Sequence, residues 1–211
     1  MRRWAGLFLG GLIVAAVTGC NGGDDGDLPA FGGAADSSAS ATAIESPVPT
    51  VDAKGPLAAV GDKLGDTKNA ITVGRTVRGD AEKEAAQQAY LAFWALRATS
   101  LSRVEVDRAA LDAVATGPAA AGVVESVREL ESKKQHTEGG STVNVQTVTV
   151  TGTTAKITDC FQDRSVDFSA DGKPQDVPDL SVVPFGAELV KAGGGWRVSQ
   201  LSRTKIKNCK G

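Results

Sequence analysis

At Gly139-Gly140 the hydrophobic pattern of the chain changes period. Before it, Ala86, Tyr90, Phe93, Trp94 and Leu101 recur near i, i+4, i+7 and i+8, the spacing that lays a stripe along one side of an α-helix. After it, Val143 and Val145, then Val148 and Val150, alternate with polar residues at the period of a half-buried strand. A chain in that order is expected to fold as helices followed by an antiparallel meander, an α+β layout whose helices cover one face of the sheet.

Local signals divide each half. Asp80 is suited to cap the first helix, and Glu82 and Glu84 suit its first turn. Ser102-Arg103-Val104-Glu105 has the spacing of a capping box opening a second helix through Val106, Ala110, Leu111 and Val114. Gly117-Pro118 starts a third, which carries Val123, Val127 and Leu130 and ends near Lys134. In the second half the phase slips at Gln146-Thr147, as at a β-bulge, and Thr151-Gly152-Thr153 reads as a turn. A second strand runs through Ala155, Ile157 and Phe161. A loop from Ser169 to Asp179 leads to a third strand over 181–191, and Gly193-Gly194-Gly195 turns the chain into a fourth over 196–208. Ala70 to Val77 reads as a short edge strand or an ordered lead-in.

The N-terminus is patterned for export. Arg2 and Arg3 precede an apolar run from Trp4 to Val17, too short to span a bilayer comfortably. Val17-Thr18-Gly19-Cys20 resembles the lipobox of bacterial lipoproteins, which implies cleavage before Cys20 and acylation of its thiol. Residues 1–19 are therefore read as a lipoprotein signal peptide, 20–68 as the lipidated cysteine and a disordered linker, and 69–211 as the folded domain. Within that linker, Asn21 to Pro56 has six acids against one base and 26 of its 36 residues are Gly, Ala, Ser, Asp or Pro, too little apolar surface to offset ordering. The implied location is the extracytoplasmic face of the cell membrane, held by the lipid on Cys20. Each buried CH₂ is worth ~0.8 kcal/mol, so two long chains anchor stably where one does not.

With Cys20 assigned to lipid, Cys160 and Cys209 remain. An even pair in an exported protein points to a disulfide; a metal or redox role lacks a CxxC, a nearby His and further ligands. No cofactor or metal site is expected. The chain holds 23 Lys and Arg against 25 Asp and Glu, for a net charge of −2, so no global field draws in nucleic acid. His136 is the only histidine and reads as a surface loop residue. Arg203, Lys205 and Lys207 at alternate positions, with Lys210, read as a charged edge that discourages strand pairing.

Residues 80 to 211 resemble the NTF2-like (SnoaL-like) lipoproteins of actinobacteria. The resemblance lies in Tyr90-Leu91-Ala92-Phe93-Trp94, Ala155-Lys156-Ile157-Thr158-Asp159-Cys160, the Gly195-Trp196-Arg197-Val198 hairpin and the terminal Cys209. It implies a cone: three N-terminal helices on a curved antiparallel sheet of about four strands, with a pocket at the open end. Such a fold does not settle activity, and the leading expectation is a non-catalytic domain that binds a small apolar ligand or a protein partner. The alternatives are a lyase or isomerase working in the cone, and a module that dimerises through the outer sheet face. In the enzyme reading Asp159 would be the carboxylate base and Tyr90 the phenol donor, which requires both to face one apolar cavity. Otherwise Tyr90 is core and Asp159 a solvated strand residue.

Overall fold

The structure is a computed structural model, described here for residues 51–175, 181–206 and 209. Cys20 and the signal segment 1–19 lie outside the described residues, as do Lys207 and Lys210. Along the chain come β1 (Lys63–Gly65), β2 (Asn69–Arg75), α1 (Ala81–Arg103), α2 (Arg108–Val114), α3 (Gly117–Lys133), β3 (Gln135–Thr151), β4 (Thr154–Asp163), β5 (Val166–Ser169), β6 (Ser181–Ala192) and β7 (Gly195–Arg203).

The molecule is α+β, but the expected layout of N-terminal helices on about four antiparallel strands is overturned. The sheet is seven-stranded and mixed, in the order β1-β2-β3-β4-β6-β7, with β5 on the first part of β3. Two strands precede the helices. β2 pairs in parallel with β3, from Asn69 opposite Gly139 to Arg75 opposite Asn144, and the remaining pairs are antiparallel. Parallel neighbours need a long crossover, and α1, α2 and α3 together form it. The folded body also starts upstream of residue 69: Val51, Ala53, Leu57, Ala58 and Leu64 pack on the core, so 51–68 belongs to it rather than to a linker.

Gly139 does not end the helical half; it lies within β3. There the strand bends and changes partner, from β5 at Glu138 to β4 at Ser141. The bend places Gly139 at φ +111, where a Cβ would stand 2.8 Å from the Arg164 carbonyl oxygen. Only glycine fits that backbone at that approach. His136, upstream of the bend, is in β3 and not in a surface loop: it is half-buried, stacked on Phe168 and 3.0 Å from Glu138 Oε1.

Helix α1 packs on the sheet. It touches strands β1 to β4 and β7 as well as α2 and α3, and sixteen of its residues from Ala86 to Ser102 are buried. Its start obeys the capping logic: Asp80 Oδ1 accepts from the Lys83 backbone N–H at 2.9 Å. Asp80→Ala is expected to cost about 1 kcal/mol, a fall in thermal midpoint of roughly 2 to 4 °C followed by circular dichroism. The end differs from the expected capping box. Ser102 and Arg103 are the last residues of α1, Val104 turns the chain at φ 54, and α2 begins only after Asp107, which caps Ala110 N–H at 2.9 Å. The third helix starts at Gly117 and is closed by Lys134 in the left-handed conformation.

Candidate functional site

Residues 87, 90, 94 and 97 follow one another at three- and four-residue steps, so Gln87, Tyr90, Trp94 and Arg97 share one side of α1. Opposite them runs the inner face of β4. Its buried positions Ala155, Ile157, Asp159 and Phe161 alternate with Lys156, Thr158, Cys160 and Gln162. That parity decides where the chemistry goes. Asp159 points into the core, and Cys160, one residue on, points to the other face, where it is joined to Cys209 by a disulfide.

Asp159 is therefore not a solvated strand residue: it is 0% exposed, as is Tyr90. Trp94 closes the cluster, stacked on Phe161 with centroids 4.2 Å apart and 5.4 Å from Phe185. The Tyr90 hydroxyl and the Phe185 backbone N–H face the carboxyl without closing a hydrogen bond of ordinary geometry. Both carboxyl oxygens, Tyr90 Oη, Trp94 Nε1 and Gln87 Nε2 are buried without a hydrogen-bond partner. Burial pushes the Asp159 carboxyl up to about 7, with Tyr90 and Phe185 pulling it back. Burial also raises the Tyr90 phenol well above its ordinary value, and the neighbouring Asp159 charge adds to that.

The fold thus brings the two weak catalytic candidates together. Their orphaned polar atoms have almost no solvent-accessible surface. A base can abstract a proton only from a group within hydrogen-bond reach, so a substrate would have to come into the core beside Asp159.

Two cavities border α1. The first holds about 320 Å³ between α1, α2 and the segment 51–54, lined by Val51, Ala53, Ala92, Leu96, Ala110, Ala113 and Val114, with Asp52 and Lys54 at its polar side. Gln88 positions its roof, accepting from Ala58 N–H and donating to the Asp52 carbonyl, each at 2.9 Å. The second holds about 300 Å³ at the far end of the α1 stripe and is lined by Arg97, Asp163 and Asp167 among others. Arg97, Asp163 and Asp167 were not among the residues singled out from sequence. The signals were available: Arg97 is a charged residue on the aromatic stripe, and Asp163 shares the parity of Asp159.

Among the described residues no three His, Cys, Asp or Glu side chains converge as a metal site, and no helix is long and apolar enough to cross a membrane.

No protein-family model matches the chain, and no curated protein matches it. Several solved structures are similar, two of which are as follows. The intermembrane space region of the chloroplast protein ARC6 aligns at 16% identity and a TM-score of 0.47, covering 60% of this chain and 98% of that one. The Kfla4162 protein from Kribbella flavida aligns at 18% identity and a TM-score of 0.40, covering 62% of this chain and 97% of that one. Likenesses at this level name no function for the chain, and the site is read from its own residues.

Proposed function

We propose that the protein is a lipoprotein, anchored through acylated Cys20 on the extracytoplasmic face of the cell membrane, whose folded domain binds a small apolar ligand without catalysing a reaction. The observation that carries the binding reading is the cavity of about 320 Å³ beneath residues 51–54, whose walls are alanine, valine and leucine. That volume is at the low end of the ~300 to 1,000 Å³ of small-ligand sites, and a mostly apolar wall with a few polar groups at one side is their usual makeup. The anchor rests on the N-terminal sequence pattern, independently of the cavity.

The alternative lyase or isomerase has one observation in its favour: Tyr90 and Asp159 meet, with the carboxyl near 7. The burial of that pair weighs more, because neither its carboxyl oxygens nor its phenol oxygen presents surface to a substrate.

Native mass spectrometry of the full chain released from its own membranes tests both parts of the proposal. The expected spectrum shows an acyl adduct at Cys20 and a co-purified apolar mass. Ala113 is exposed at the rim of the cavity, so Ala113→Trp is expected to fill the cavity and abolish the co-purified mass, with circular dichroism confirming that the variant is folded. A wild-type chain that carries no apolar mass overturns the ligand assignment. A Cys20 without acyl overturns the anchor.

A further inference from the structure

The second cavity lies between α1, α3 and the bend of β3, and its chemistry differs from that of the first. Arg97 enters it half-buried, its guanidinium 5.7 Å above the Trp94 ring, yet it has no hydrogen bond or ion pair among the described residues. Burial draws its pKa down and the facing Asp163 and Asp167 carboxylates draw it back up, so the group stays charged.

The three charges do not close direct ion pairs with one another. They are held apart instead. Asp163 Oδ1 accepts from Ser141 Oγ at 3.1 Å, Ser165 N at 3.0 Å and Ser165 Oγ at 2.6 Å. Asp167 Oδ1 accepts from Thr137 Oγ1 at 2.7 Å. Each aspartate is thereby oriented by the protein with its second oxygen left over. At the rim of the same cavity, Lys133 pairs with Glu129 at 2.6 Å.

The cavity therefore presents one guanidinium with its donors unspent and two oriented carboxylates with acceptors unspent. A simple anion would meet repulsion from both aspartates, and a simple cation would meet repulsion from Arg97. A ligand carrying both charges satisfies both sides, and the planar guanidinium matches a carboxylate through two parallel hydrogen bonds. We propose that this cavity binds a small zwitterion of the α-amino-acid type, its carboxylate on Arg97 and its ammonium between Asp163 and Asp167. The Ser126 and Thr137 hydroxyls line the same space and supply further polar contacts. This site is separate from the apolar cavity and stands or falls independently of it.

The test is calorimetric titration of the full chain, purified in detergent, with glycine, L-alanine, L-serine, L-glutamate and L-lysine. Each is compared with the matching amine that lacks the carboxylate and the matching acid that lacks the ammonium. At least one amino acid is expected to bind saturably, and both of its halves at least tenfold more weakly. Arg97→Met is expected to abolish that binding and Asp167→Asn to weaken it at least tenfold, with circular dichroism confirming the fold of each. Should Arg97→Met fail to fold, Asp167→Asn carries the comparison. The proposal is overturned if no amino acid binds at millimolar concentration, if the acid half binds as tightly as its parent, or if a folded variant binds like the wild type.

Discussion

Asp159→Asn is expected to stabilise the protein at pH 8 by about 2 to 4 kcal/mol, a rise in thermal midpoint of roughly 5 to 15 °C, and to remove a pH dependence that the wild type carries. The reason is the position of the carboxyl inside the sheet. Folded, it titrates near 7; its ordinary value is 3.8. Between those two values the folded chain holds a proton that the unfolded chain has released, so stability declines as pH rises. The favourable contribution is complete below the ordinary value and gone once pH has passed the folded one. A gap of about three units corresponds to about 4 kcal/mol, and the lower end of the expected range allows for the polar groups that Asn also leaves buried. Asp66 works in the opposite direction. The backbone N–H of Lys68 and the Arg103 guanidinium hold its carboxyl below the ordinary range, so its contribution is lost as pH falls. The difference between wild type and Asp159→Asn therefore isolates the buried group, measured as denaturant midpoints at pH 4, 6 and 8. Parallel pH curves for the two proteins would show that Asp159 is ionised and solvated in the folded state, and the description of a sealed cluster would be wrong.

The same residue shows what could be read from sequence and what could not. Strand alternation in Ala155-Lys156-Ile157 was legible, as were the bulge at Gln146-Thr147, where the β3–β4 register shifts between Val145 and Thr147, and the turn after Thr151. That alternation already placed Asp159 on the face of Ala155 and Ile157, opposite Cys160. The solvated reading took the side opposite Cys160 and its disulfide partner to be the wet one, whereas that side of β4 is the core. The parallel pairing of β2 with β3 was not legible, since residues from 76 to 134 separate the two strands and no local signal reports which strands become neighbours across a crossover. β5 was missed for a related reason. Val166–Ser169 is only four residues long and acquires strand geometry by pairing with Gln135–Glu138 beyond the bend at Gly139. The start of α2 was displaced because Ser102-x-x-Glu105 satisfies the capping pattern, whereas Ser102 is in fact buried at the end of α1. Burial of the helix end outweighed a signal whose usual worth is about 1 kcal/mol.

Opening the Cys160–Cys209 bond is the other change expected to have a large effect. Cys160 stands opposite Pro184 of β6, a residue with no N–H to give to the ladder. β7 ends at Arg203, and the chain beyond it is tied back by Thr204 N–H to the Pro184 carbonyl at 3.0 Å and then by Cys209 to Cys160. The disulfide therefore fastens the C-terminal segment to the outer face at a place where backbone pairing is incomplete. Its ends are separated by 49 residues, and closing a loop of that length removes about 4 kcal/mol of unfolded-chain entropy in the chain-entropy model. Cys209→Ser is accordingly expected to lower the midpoint by roughly 8 to 16 °C, and reductant is expected to do the same to the wild type and nothing further to the variant. Because the constraint acts on the unfolded ensemble, the inner face should be unaffected: the Asp159-linked pH dependence should persist at its full size in Cys209→Ser. A midpoint that does not move would mean that contacts on the outer face already hold the terminal segment, leaving the disulfide without a role in stability. A loss of the pH dependence together with the midpoint would mean that Asp159 is kept buried by the clasp rather than by the packing of α1 on β4.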